Sequence, residues 1–307
     1  MAVDSTTPTI DSNNFMKSIK VTSTSTTAAS SAGDYAAIGQ RLERNDAASF
    51  GWGTSNAQDV TLSFYVRSSK TGIFSAYLIG GDGYNRTFTF EYTIASANTW
   101  QKVVKTISGD TGGSWTYSSD NTIGLGLNFV LENLGSGAGT TSSLNSWQAG
   151  NNYAGSTNQV NLFDTNGATW YVAGVQLETG SQATPFEHRS SGEELRLCQR
   201  YYQQYVNPCC TGVIPDNGSK AYSIGLQFQT RMRGVPTLSI TNAGTGGNVS
   251  DGQSTQTIAS LSAADRNVDG ASMYLNLNGD LGDFRPACLG LNDSTTNTTT
   301  YKFTADL

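Results

Sequence analysis

The one histidine of this chain, His188, lies in a charged run, ETGSQATPFEHRSSGEELRLCQRYY (178–202). Glu187, Arg189, Glu193, Glu194, Arg196 and Arg200 crowd around it. An imidazole beside acids and bases is the raw material of a Ser-His-Asp triad or an acid–base catalyst. No GxSxG turn supplies a nucleophile for it, however. Both neighbours of His188 are equally explained as ion-pair or hydrogen-bond partners at a domain junction. Glycoside hydrolysis needs two carboxylates held across a cleft. Asp82, Asp110, Glu132 and Asp164 are the candidates, and all sit in or beside turns, where acids are expected anyway. The reading is therefore of no catalytic residue and a non-enzymatic chain.

Metal and cofactor chemistry fare no better. Cys198, Cys209, Cys210 and Cys288 have no spacing that suits a zinc knuckle, and one histidine cannot complete the set. They are expected as reduced, partly buried thiols. Glycine-rich runs such as GGDG and GSGAG lack the strand–turn–helix setting and the lysine of a phosphate loop. No cofactor and no metal is expected.

The aromatics carry more. Trp115 and Tyr117 fall between strand-like segments, and Trp147 and Tyr153 fall in a long polar stretch, 133–158. Flat rings on loops can cover the apolar face of a sugar, with Asn151, Asn152 and Asp120 serving its hydroxyls. These seven residues are the candidate glycan site. The competing reading is that the rings pin loops onto the fold.

The frame that must position them is extended chain. Charged residues are 14 % of the 307, and glycine numbers 34, so turns and strands are favoured over helix. DVTLSFYVRSS alternates Val60, Leu62, Phe64 and Val66 with Thr61, Ser63, Tyr65 and Arg67, the pattern of a half-buried strand. TGIFSAYLIGGDG, YNRTFTFEYTI, WQKVVKTISGD, NTIGLGLNFVLENL and TWYVAGVQLETG read likewise, whereas DYAAIGQRLERND fits helix or strand. No long helix intervenes, which argues for packed antiparallel sheets. The stretch 133–158 is expected as one large surface loop. Pro185 marks a turn, and Ser191 with Glu194 forms a candidate capping box for a short helix. Beyond it lies a second β region with a polar loop between PTLSITNAG and ASMYLNLNGDL. The fold class is thus all-β: a jelly-roll β-sandwich followed by a smaller β-sandwich. The expected parts are an arm (1–14), the first domain (15–190), a helical linker (191–198) and a second domain (199–307). The opening residues lack a basic segment followed by an apolar run, so no signal peptide is read and synthesis in a cytosol is expected. No apolar stretch is long enough for a membrane span. The net charge of −6 and the lack of a Lys/Arg cluster argue against nucleic acid.

Four segments together resemble a known family. VTLSFYVRSSKTG (60–72), NTWQKVVKTISGDTGG (98–113), SWQAGNNYA (146–154) and above all WYVAGVQLETGSQATPFEHRSSGEELRLCQRYYQ (170–203) are similar to tailed-bacteriophage fibre or fibre-like virion proteins of marine and cyanobacterial phages. MRGVPTLSI (232–240) resembles the start of their second domain. The resemblance implies a jelly-roll domain of carbohydrate-binding type. It further implies a non-enzymatic virion protein, assembled in the host cytoplasm, that acts as a tail or head fibre in host attachment. Capsid decoration or a tail or neck adaptor is the alternative. Implied partners are other virion proteins of capsid, tail or neck, a host-surface glycan, and two further copies in a homotrimer. Tyr201, Tyr202 and Tyr205 are the interface candidates. Residues 1–14 or one of the β domains would dock to the particle.

Overall fold

The structure is a computed structural model. It describes residues 1–8, 15–26, 34–116, 122–133, 139–151, 155–206, 210–213, 220–223, 225–241, 247–250, 254–279, 281, 286–291 and 300–306. Contacts divide the chain into two compact units, 1–188 and 189–306.

In the first unit the alternating segments become strands. They are β1 (Ala2–Asp4), β2 (Ser18–Thr22), β3 (Tyr35–Glu43), β4 (Val60–Ser68), β5 (Gly72–Gly80), β6 (Arg86–Ile94), β7 (Gln101–Ile107) and β8 (Ile123–Asn133). The short β9 (Thr140–Thr141), β10 (Trp147–Ala149) and β11 (Gly155–Ser156) follow, then β12 (Thr169–Thr179). They form two five-stranded sheets, ordered β1-β2-β12-β4-β7 and β10-β6-β5-β8-β3. The pairing is nested: β5 with β6, β4 with β7, β3 with β8 and β2 with β12, all antiparallel. That is one long hairpin rolled up on itself, and β12–β4 and β5–β8 contacts seal the roll. The architecture is a jelly roll within an all-β chain.

The core follows from the period of two. Val60, Leu62, Phe64 and Val66 face Phe74, Leu78, Phe88, Phe90, Leu127, Phe129 and Trp170 in a single apolar cluster. The other face of β4, expected to be wet, is covered too. Tyr65 is 1 % exposed, because the Phe15 ring sits 5.3 Å from it and Lys102 Nζ lies 5.7 Å above it. Phe15 itself rests on Gly174, where β12 bulges and φ is +57°. A Cβ at Gly174 would lie 2.4 Å from that ring.

Three expectations about this unit change. The arm is in part sheet: β1 pairs with β2, and residues 9–14 lie outside the described ones. DYAAIGQRLERND is both a strand and a helix, β3 running straight into α1 (Arg44–Ala47). The stretch 133–158 is no free loop in its described part. It lies down on the second sheet, β10 against β6, with Thr87 Oγ1 donating to Gly150 O at 2.7 Å and Ser156 N to Ser75 Oγ at 3.0 Å. Its polar backbone finds partners on a sheet face lined by hydroxyls, which composition alone does not reveal.

The second unit opens with α2 (Ser191–Gln199), so the helix belongs to this unit. Its cap is Ser190, whose side chain accepts from Glu193 N at 3.2 Å, one residue earlier than the Ser191–Glu194 box. Glycine at 192 suits either register, so the sequence left the two boxes nearly equivalent. Then come β13 (Tyr202–Val206), β14 (Cys210–Val213), β15 (Lys220–Ser223), β16 (Leu226–Gln227) and β17 (Thr237–Thr241). β18 (Gly247–Ser250), β19 (Thr255–Arg266), β20 (Gly270–Leu277), β21 (Pro286–Leu291) and β22 (Thr300–Thr304) complete it. One sheet is β13-β22-β17. The other runs β15-β14-β21-β18-β19-β20, and β20 pairs back onto β15, closing a ring. Tyr301, Phe303, Leu275, Ile258 and Met232 share its core. The expected polar loop contains β18 and β19. Two register shifts in β19, after Ile258 and after Ala263, break the alternation that would have exposed it in the sequence. Cys198 is free and exposed rather than partly buried; Cys209 lies outside the described residues.

Replacing Gly174 by valine is expected to lower the melting temperature by several degrees. Both the positive φ and the Phe15 ring oppose a branched side chain there. Thermal unfolding followed by near-UV circular dichroism checks this, and an unchanged melt would show that Phe15 can leave the sheet at no cost.

Candidate ligand-binding site

Of the seven glycan-site candidates, Trp115, Trp147 and Asn151 are described; Tyr117, Asp120, Asn152 and Tyr153 lie outside the described residues. Trp115 and Trp147 come together at one end of the jelly roll. β10 places Trp147 opposite Phe88, so its ring points between the sheets. Trp52, fully buried, stands 5.2 Å from Trp115 and 5.0 Å from Trp147, and the last two meet at 5.6 Å. All three contacts are edge-to-face, the arrangement the ring quadrupoles favour. Gly80 makes the slot: a Cβ there would lie 2.5 Å from the Trp115 ring. Trp115 and Trp147 are half-buried. Trp147, expected on a loop, is carried by β10, a three-residue strand too short to show a period in the sequence.

A polar clasp underlies the rings. Arg86 holds Asp110 through two bonds, Nε to Oδ2 at 2.7 Å and Nη2 to Oδ1 at 2.6 Å. Asp110 is 2 % exposed. It accepts further from Trp115 Nε1 at 2.9 Å and Gly112 N at 3.1 Å, and its carbonyl accepts from Gly53 N at 2.7 Å. Trp147 Nε1 donates to Ser108 O at 2.8 Å. Nearby, Asp82 accepts from Ser114 Oγ, Thr116 N and Thr116 Oγ1. The Thr116 bonds hold its carboxyl below the usual range. Both indole N–H groups are thus committed within the fold, leaving ring edges for a ligand; Asn151 is exposed two residues beyond β10. Arg86 and Trp52 join the site without a mark in the sequence; what calls for Arg86 is a buried carboxylate that needs its full set of donors.

The remaining carboxylate candidates are separate from this end. Asp164 pairs with Lys70 and Thr165 and is held below its ordinary range by them. Glu132, 8 % exposed, is pushed up by burial and then by Asp164 and Asp34. His188 packs on Phe186 and Phe15 at 5.0 and 5.5 Å. In the charged run around it, Arg189 pairs with Glu194 at 3.5 Å. Among the described residues no three His, Cys, Asp or Glu side chains are placed to hold a metal ion. Of the tyrosines expected at an interface, Tyr202 is 42 % exposed on the edge strand β13. Tyr205 is half-buried, packing on Phe303 at 6.1 Å, and the half-buried Tyr201 accepts at its carbonyl from Ala305 N.

No family model matches this chain, and no curated protein matches it.

Removing the carboxylate in Asp110→Ala strands a buried guanidinium and is expected to cost about 3–5 kcal/mol, read as a lower denaturation midpoint in urea. Glu132→Gln should act in the opposite direction. The folded state holds the Glu132 proton more tightly than the unfolded chain, so the ionised residue opposes folding once the pH passes the ordinary glutamate range. The variant should melt above the parent at neutral pH, with the gap closing towards pH 4. A gap that is constant with pH would assign the effect to something other than ionisation.

Proposed function

We propose that this protein is a non-enzymatic structural component of a tailed-phage particle, a fibre or spike element that meets host-surface glycan through the aromatic end of its jelly roll. The observation that carries the reading is the convergence of Trp115 and Trp147 at one end of the roll. Loops on a stiff sandwich are where binding groups usually reside. The likeness of 170–203 to fibre-type virion proteins supplies the setting. A trimer with Tyr202 towards its neighbours would multiply a weak single-site affinity, and the particle would assemble in the host cytoplasm. Capsid decoration or a neck adaptor is the second reading. It is favoured by one fact: the indoles already pack on each other and on Trp52.

Two measurements separate these readings. Antibody labelling of intact particles should place the chain at an outer, projecting position; labelling at the neck or flush with the shell would favour the adaptor or decoration role. Trp115→Ala, assayed well below its own lowered melting temperature, should lose host-cell binding. A fall of several degrees with binding retained would reduce the ring cluster to packing. Light scattering of the purified chain should give about three times the 32.6 kDa chain mass.

A further inference from the structure

On the outer face of the first sheet, away from the aromatic end, cations and rings alternate across the strands. Lys20 of β2 is opposite Tyr171 of β12, and Tyr171 is opposite Arg67 of β4. Lys20 Nζ lies 5.4 Å and the Arg67 guanidinium carbon 5.0 Å from the centre of the Tyr171 ring. Trp100, the residue before β7, stands edge-on to the same ring at 6.1 Å. On the same face, Lys102 of β7 is opposite Tyr65 of β4 and lies over its ring. The two tyrosines are only 6 % and 1 % exposed, while Lys20, Arg67 and Lys102 are half-exposed above them. The rings therefore act as a bed that attracts and orients cations. Positive charge is gathered here although the chain as a whole carries −6.

The cations are not all spent. Arg67 is anchored by Nε, which donates to Asn98 O at 2.8 Å, and it forms no ion pair among the described residues. Lys20 shares Asp4 at 3.3 Å, with both side chains partly open to water. Glu178, on the same face, is held by Thr184 and feels the Lys102 charge, so Lys102 is a partly engaged flanking cation. A guanidinium fixed through one nitrogen presents its other two as a fork for an acid group.

We propose that this face binds a polyanionic saccharide, a glycan bearing carboxylate or sulfate groups, with Arg67 taking an acid group and Lys20 and Lys102 flanking it. The inference rests on the reading of the chain as a glycan-binding particle protein and names the class of glycan. Nucleic acid fits worse. Its bases need open rings to stack on, and these tyrosines are covered. Three cations on an acidic protein also fall short of a phosphate track.

The test uses the full chain and four probes: polygalacturonate, dextran sulfate, uncharged dextran and single-stranded DNA, each followed by calorimetry. Binding of one or both acidic polymers, weakening as NaCl is raised, with none to dextran, is the expected result; whichever polymer binds identifies the acid group. Arg67→Gln with Lys20→Gln should weaken it about tenfold or more, while Arg67→Lys, which keeps the charge and loses the fork, recovers only part of it. If the double variant melts early, Lys102→Glu on the folded chain gives the same answer. Equal affinity for dextran, tighter binding of DNA, or affinity unmoved in the folded variants would overturn the proposal. Should these arms fail while Trp115→Ala still abolishes host-cell binding, the attachment reading stands without this face. Polyanion binding by a chain that labels at the particle neck would keep this inference and remove the attachment reading.

Discussion

β12 is hydrogen-bonded along both edges, to β2 on one side and β4 on the other. The first sheet, its core face and its outer face are arranged around that constraint. Over Trp170–Val172, where both partners flank it, its backbone is satisfied and its side chains are spent on packing. Trp170 and Val172 enter the core, where the Trp170 indole donates to the Tyr92 hydroxyl at 3.2 Å and packs on Phe129. Tyr171, on the opposite face, supports the cation row. The bulge between Ala173 and Gln176 turns the strand and opens the seat at Gly174 that Phe15 fills. One eleven-residue strand thereby joins the core, the outer face and the segment leading to His188.

The aromatic end is closed differently. Between the sheets, apolar contact suffices. At the end of the roll, loops 51–58 and 108–116 arrive with backbone groups that need partners. Asp110 gathers them, serving a guanidinium, an indole and two amides. A buried ion pair adds little net stability compared with a well-packed apolar alternative. Its contribution is geometric: only one placement of these loops satisfies all the donors at once, and that placement sets the two half-buried tryptophans edge to face.

What could be read from the sequence tracks how regular the burial is. β4, β5, β6, β8 and β12 show through because large apolar residues recur at every second position with few interruptions. The same rule fails where backbone geometry slips. β19 carries two register shifts, so its polar and apolar residues fall out of step. β10 has too few residues to display a period, so Trp147 looks loop-borne in the sequence. The buried outer face of β4 was invisible because its cover, Phe15, lies nearly fifty positions away in the chain. For the site, residue type pointed to Trp115 and Trp147 but not to their partners. Arg86 and Asp110 look like ordinary turn-flanking charges until the fold brings them within one hydrogen bond. The cation row was equally hidden: Lys20, Arg67 and Tyr171 become neighbours only through strand register.

The nested order of pairing also fixes when this unit can form as the chain is made. Its innermost hairpin, β5 with β6, is complete by Ile94, and β7, β8 and β12 each add one outer layer. The outermost pair cannot close until Thr179 has cleared the ribosome, roughly several seconds later at about 5–20 residues per second. Through that interval β2 and the outward edge of β4 await the strand that both will share, and their hydrogen-bonding groups are open to any other extended segment. Lys17, Lys20, Arg67 and Lys70 stand on or beside those two waiting strands. Charge on an open strand edge disfavours pairing with another copy.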